Sequence, residues 1–197
     1  MIELFLNEFL STFPFHILAC VPFHKRLRHS PWKTFLWVCG FELGYLLLFM
    51  FLIQIGLSSV WVQYLALPCF GVLFKLMVDA EIGMILFIYL FIIDYLLVVR
   101  AAAFCICQAL FGYNFFSWET GLITFLLVLC SIYFMAKAMT RTVEGLSSIS
   151  IPSFWNTAWL LPASVTLILL LLTGNIRSGT ITIAALMARF MLLICMF

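Results

Sequence analysis

The chain has 197 residues with ten Lys or Arg against eight Asp or Glu; only 9% of it is charged, 66% is hydrophobic, and the mean hydropathy is +1.22. No soluble domain of this length could hide that much apolar surface, which excludes a water-soluble enzyme or binding module and indicates an integral membrane protein. A net charge of +2 and a pI near 8.2 point to contact with anionic headgroups, not nucleic acid, because the positive residues mostly occupy loop positions.

Seven apolar runs follow one another, approximately 2–23, 32–56, 58–78, 82–103, 120–139, 156–173 and 178–197. Each is close to the roughly 20 residues that cross a hydrocarbon core about 30 Å thick. All are expected to be α-helices, since an open sheet cannot satisfy its backbone polar groups in lipid. The fold expectation is therefore all-α: one polytopic bundle of about seven transmembrane helices over residues 1–197. The first run begins at residue 2, before any basic residue, which argues against a cleaved signal peptide.

Between the first two runs lies "HKRLRHSPWK", with Lys25, Arg26, Arg28 and Lys33. Positive-inside bias puts this loop in the cytoplasm and the N-terminus outside. Alternation then predicts seven basic residues inside (25, 26, 28, 33, 75, 137, 141) against two outside, Arg100 and Arg177, with the C-terminus cytoplasmic. Trp32, Trp61, Trp118 and Trp155 each fall near a proposed span end, where an amphipathic ring prefers the headgroup level.

The fourth run, "GMILFIYLFIIDYLLVVRAAAFCICQALFG", is too long for one untilted span and too short for two. It reads as a span that leaves the bilayer near Arg100, followed by an interfacial turn, which makes residues 104–120 the largest external feature. The polar stretch "TRTVEGLSSISIPSF" reads as a plain cytoplasmic loop. The last run stops at Phe197 with no polar anchor, so the chain given is expected to be a fragment.

Charges inside a bilayer are functional candidates because they are costly there. Glu42 sits ten residues into its span, about 15 Å from the cytoplasmic face at 1.5 Å per residue. Asp94 and Arg189 lie at similar depth, so the three could form a buried cluster with two states, or a static bridge that fixes helix register. Glu42 also lies within "GFELG", a GxxxG pattern suited to close helix approach. Pro14, Pro68 and Pro162 fall inside spans and should bend them.

His16, Cys20 and His24 share a helical stripe, but the outer two are about 12 Å apart along the axis and cannot hold one ion. His16 is expected to hydrogen-bond a neighbouring helix. The seven cysteines fall almost entirely inside apolar runs and indicate neither a disulfide framework nor a metal site. There is no P-loop, GxSxG elbow or GxGxxG, so neither catalytic residues nor a cofactor can be assigned to these residues.

The opening "FPFHILACVPFHKRLR" and the late "LLPASVTLILLLLTGN" resemble the membrane regions of bacterial GHKL-type sensor histidine kinases, similar to receptors of the accessory-gene-regulator type. The resemblance follows the whole chain in segment order and rests on aromatic and proline-punctuated apolar segments. It implies a polytopic sensor in the bacterial cell membrane, possible homodimerisation, and an external ligand, often a peptide in that family. No phosphoacceptor helix or ATP-binding domain lies within these residues, so any kinase activity would belong to a continuation. The external ends, with Arg100, Tyr113, Phe115, Phe116, Trp118 and Arg177, are the candidate ligand contacts, and Glu42, Asp94 and Arg189 the candidate coupling element. The alternative from another class is a small transporter, or a substrate-binding transporter subunit, that uses Glu42 and Asp94 as proton- or cation-coupling groups. A structural or assembly role is a third reading. Neutralising Arg189 is expected to alter basal output or folding; unchanged expression and output in an Arg189→Leu variant of the full protein would sink the coupling idea.

Overall fold

A computed structural model describes residues 2–57, 59–112, 117–147 and 154–177, and the expected seventh span, 178–197, lies outside them. The described elements are helices: α1 (Ile2–Cys20), running into a 3-10 turn at Val21–Phe23, α2 (Pro31–Gln54), α3 (Ser59–Met77), α4 (Ile82–Phe111), α5 (Trp118–Ser147), α6 (Phe154–Ala158) and α7 (Leu160–Arg177). Four of the helical stretches, Ile2–Phe23, Pro31–Gln54, Ile82–Phe111 and Trp118–Gly145, are long and apolar enough to cross a membrane. An all-helical bundle with four such helices has the character of a membrane protein.

α4 is the axis of the bundle. It packs against α1, α3, α5, α6 and α7, while α1 packs against α2, α4 and α5. A helix that is apolar around its whole circumference belongs in the centre, and α4 buries residues on every side, from Gly83 to Cys107.

Near Arg100, where the span is expected to leave the bilayer and continue as a turn of helix, the chain stays helical. α4 runs unbroken for 30 residues, about 45 Å, and ends only where Gly112 adopts a left-handed conformation (φ 68°) and turns its amide back to the carbonyls of Cys107 and Gln108. No glycine or proline interrupts the sequence from Met84 to Phe111, so nothing local stops the helix.

Two further boundaries differ. Thr140–Ser147, read as loop, continues α5, because Met139 and Val143 lie one turn apart and are both buried. The sixth run is divided at Trp159 into α6 and α7, and Pro162 sits in the first turn of α7, where a missing N–H costs little. It starts a helix instead of bending one.

The loop of "HKRLRHSPWK" is tied down by backbone. Arg28 N–H donates to the Met77 carbonyl (2.9 Å) and Asp79 N–H to the Arg26 carbonyl (2.8 Å). Ser30 Oγ caps α2 by accepting from Lys33 N–H, with Pro31 in the first turn. Lys25 meets Glu144 (2.7 Å) and Arg28 meets Asp79 (3.3 Å), both at the surface. One end of the bundle therefore gathers the 24–30 loop, the end of α3, the start of α4 and the end of α5.

Packing is closest at two glycines. A Cβ on Gly83 would lie 2.0 Å from the Trp155 carbonyl oxygen, and one on Gly121 would lie 2.7 Å from Asn7 Cα. The GxxxG pair behaves otherwise: beyond their own helix backbone, no atom among the described residues lies within 4 Å of a Cβ built on Gly40 or Gly44, so that motif serves no contact there. Around it, Leu36, Trp37, Leu43, Leu47 and Phe51 are exposed. Gly83→Ala and Gly121→Ala are expected to destabilise the protein by about 1–3 kcal/mol through overpacking. Gly40→Ala and Gly44→Ala should be neutral or stabilising by up to about 1 kcal/mol, as in an open helix face. Denaturation of the purified variants in detergent distinguishes the two classes.

Candidate functional site: a buried polar chain

α1 carries Asn7, Glu8, Ser11 and Thr12, positions i, i+1, i+4 and i+5, which lie on one helix face. All four are buried. In lipid or in a protein interior such groups must find partners, and each finds one here.

At the α4–α5 end, Arg100 Nη2 lies 3.2 Å from Glu8 Oε2 and 3.2 Å from Asn7 Oδ1. Tyr45 of α2 donates its hydroxyl to Glu8 Oε1 (3.1 Å), and Asn7 Nδ2 donates to the Ser117 carbonyl (2.6 Å), just ahead of α5. Arg100 is 6% exposed and Glu8 1%. Removing either charge alone would strand the other without water.

One turn further along α1, Thr12 Oγ1 contacts both the Glu8 carbonyl (2.7 Å) and Glu42 Oε1 (2.5 Å). His16 Nδ1 lies 2.7 Å from Glu42 Oε2, close enough to pair yet not aligned as a hydrogen bond. Its ring stacks on Phe70 of α3 at 3.9 Å, and Tyr45 meets the same ring. The polar chain thus runs from Ser117 through Asn7, Arg100, Glu8 and Thr12 to Glu42 and His16, touching α1, α2, α4 and the residue before α5.

Asp94 occupies a separate site between α4 and α7, where Oδ1 contacts Thr166 Oγ1 at 2.6 Å. Its Oδ2 is buried with no hydrogen-bond partner among the described residues.

Of the sequence candidates, Glu42 and Asp94 are both buried, but each is bonded to a threonine of a neighbouring helix and no salt bridge joins either to a Lys or Arg among the described residues. Arg189, Tyr113, Phe115 and Phe116 lie outside the described residues, as does the Arg177 side chain. Trp118 opens α5 and is 41% exposed. Arg100 corrects the expectation of an external ligand contact: it faces the interior because Glu8 supplies its countercharge. His16 does approach another helix, at Glu42. His24 Nδ1 contacts the Val21 carbonyl and Cys20 Sγ the His16 carbonyl, and no group of three or more His, Cys, Asp or Glu among the described residues could hold a metal.

Glu8 escaped the sequence reading, although it is an acid only six residues into the first run. The pairs Asn7/Ser11 and Glu8/Thr12, each four apart, were the available signal.

Glu8→Ala or Arg100→Leu is expected to cost about 3–5 kcal/mol, the penalty for stranding one charge of a buried pair. The double variant Glu8→Leu/Arg100→Leu should regain most of that loss. Equal destabilisation by the double variant and by the singles, measured as detergent denaturation midpoints, would contradict the pairing.

No family model, curated protein or solved structure matches this chain.

Proposed function

We propose that the chain is the membrane-embedded sensing region of a bacterial two-component sensor histidine kinase. It is a multi-pass receptor of the cytoplasmic membrane with its N-terminus outside and its last helix leading to a cytoplasmic kinase domain. Seven spans, the seventh from residue 178, complete this topology. The resemblance of the first and sixth runs to such sensors is one support. The gathering of Lys25, Arg26, Arg28 and Lys75 at one end of the bundle is another, since positive-inside bias assigns that end to the cytoplasm.

The observation that carries the reading is the bond from Asn7 Nδ2 to the Ser117 carbonyl. It joins the external connection between α4 and α5 to the Arg100–Glu8 pair and, through Tyr45, to α2. A peptide or small molecule that displaces Ser117 would therefore act on Asn7, and Asn7 shares Arg100 with Glu8. Differential ligand affinity for two arrangements of this joint is what a signal requires. Homodimerisation belongs to the same proposal.

A transporter that uses Glu42 and Asp94 for coupling is favoured by a different observation, the buried Oδ2 of Asp94, which has no hydrogen-bond partner among the described residues. The coding sequence beyond the codon for Phe197 separates the two. A frame running into a histidine-bearing helix and an ATP-binding domain supports the sensor; an immediate stop codon overturns it and leaves the transporter. In the parent protein, Asn7→Ala is expected to change autophosphorylation severalfold, and unchanged basal and ligand-dependent activity in a well-expressed variant would count against the Ser117 link.

A further inference from the structure

A hydroxyl group has one proton to donate, and that count bears on Glu42 and Asp94, the two buried acids without a Lys or Arg partner among the described residues. Thr12 Oγ1 lies 2.7 Å from the Glu8 carbonyl oxygen and 2.5 Å from Glu42 Oε1. A carbonyl oxygen only accepts. Were Glu42 ionised, both neighbours of the hydroxyl would be acceptors, and its one proton would have to serve two oxygens at 2.7 Å or less. The same arrangement recurs between α4 and α7, where Thr166 Oγ1 lies 2.9 Å from the Pro162 carbonyl and 2.6 Å from Asp94 Oδ1.

A third site indicates the direction. Tyr95 on α4 contacts Ser131 Oγ on α5, and Ser131 also reaches the Leu127 carbonyl, four residues back, at 2.7 Å. The phenol can donate to the hydroxyl while the hydroxyl donates to the carbonyl, so each contact holds one proton. Thr124 and Thr142 likewise donate to the carbonyls of Thr120 and Ala138. Hydroxyls within helices commonly spend their proton this way and keep their lone pairs for a donor from elsewhere.

We propose that Glu42 and Asp94 are proton-binding sites, each neutral acid donating from the oxygen that faces its threonine while the threonine donates to the carbonyl one turn back. Thr12 and Thr166 are the acceptors that hold these protons in place. Asp94 Oδ2 is then the carbonyl oxygen of a neutral acid, which tolerates an unpartnered burial far better than a carboxylate does. Oε2 of Glu42 lies 2.7 Å from His16 Nδ1. Glu8 differs in kind: it has the Arg100 guanidinium as its partner, 3.2 Å away.

The other titratable groups turned toward Glu42 are Glu8 from α1, Cys39 and Tyr45 from α2, and Tyr89 from α4, none of which supplies a positive charge. Loss of the Asp94 proton would leave a carboxylate without a cation among the described residues, and loss of the Glu42 proton one with only His16 beside it, so release requires the α4–α7 or α1–α2 contact to open to water. The inference stands apart from the sensor reading, because it concerns the protonation of two side chains and not the ligand or the output.

Infrared spectroscopy of the purified chain in lipid nanodiscs tests it, with glutamate or aspartate carboxyls labelled with carbon-13 in turn. At neutral pH each label is expected to shift one protonated-carboxyl C=O band. Glu42→Gln removes the glutamate band and Asp94→Asn the aspartate band, while Glu8→Gln removes neither. Absence of protonated-carboxyl bands at neutral pH, or bands that survive both substitutions, would overturn the proposal. Because an amide donates to a threonine as a neutral acid does, Glu42→Gln and Asp94→Asn should also keep the wild-type melting temperature. Failure of either variant to fold would mean that the acid is needed ionised, and overturns the proposal equally.

Discussion

Four segments of the bundle converge on one guanidinium. Arg100 faces Glu8 and Asn7 of α1, Tyr45 of α2 completes the hydration that Glu8 lacks, and Asn7 reaches the residue before α5. Neither charge is tolerable alone in a dry interior, so the axial register of α1 against α4 is fixed by their meeting. A well-packed apolar pair at the same place could be equally stable, which makes register and coupling, not stability, the distinctive contribution of this ion pair.

Around that centre the polarity of a soluble protein is inverted. Asn7, Glu8, Thr12, Glu42, Asp94, Arg100 and Thr166 are buried, while Trp37, Leu47, Phe51 and Phe134 are exposed. Acyl chains solvate such a surface without cost, and the hydrophobic effect therefore gives the helices little reason to associate. Directional contacts must do more of the work. The polar chain supplies them between α1, α2 and α4, the Asp94–Thr166 contact between α4 and α7, and the Tyr95–Ser131 contact between α4 and α5. The salt bridges at the basic end, by contrast, are exposed and screened, and there the backbone bonds from Arg28 to Met77 and from Asp79 to Arg26 hold the loops.

Much of the helical organisation was legible because apolar runs have a minimum length and polar clusters interrupt them. The starts of α2 and α4 could be read from Pro31 and from the Asp79–Glu81 interruption. Arg100 was read as an exposed end residue from run length and alternation, which do not reveal that its countercharge is Glu8, 92 positions earlier, and that the pair is buried. The grouping of Glu42 and Asp94 with Arg189 rested on depth alone, and Arg189 lies outside the described residues. Equal depth in two spans says nothing of which faces meet, and each acid faces a threonine of a different neighbour. The GxxxG pattern was visible as spacing, but only three-dimensional packing shows that Gly83 and Gly121, which lack any such motif, make the close contacts.

The separation of Glu8 from Arg100 in the chain also imposes an order on biosynthesis. α1 emerges from the ribosome with a polar face whose cationic partner is 92 residues away, and at about 5–20 residues per second that is roughly 5–18 s of synthesis. During that interval Glu8 can have Tyr45 of α2 but not its guanidinium, so the final register of α1 awaits the arrival of α4.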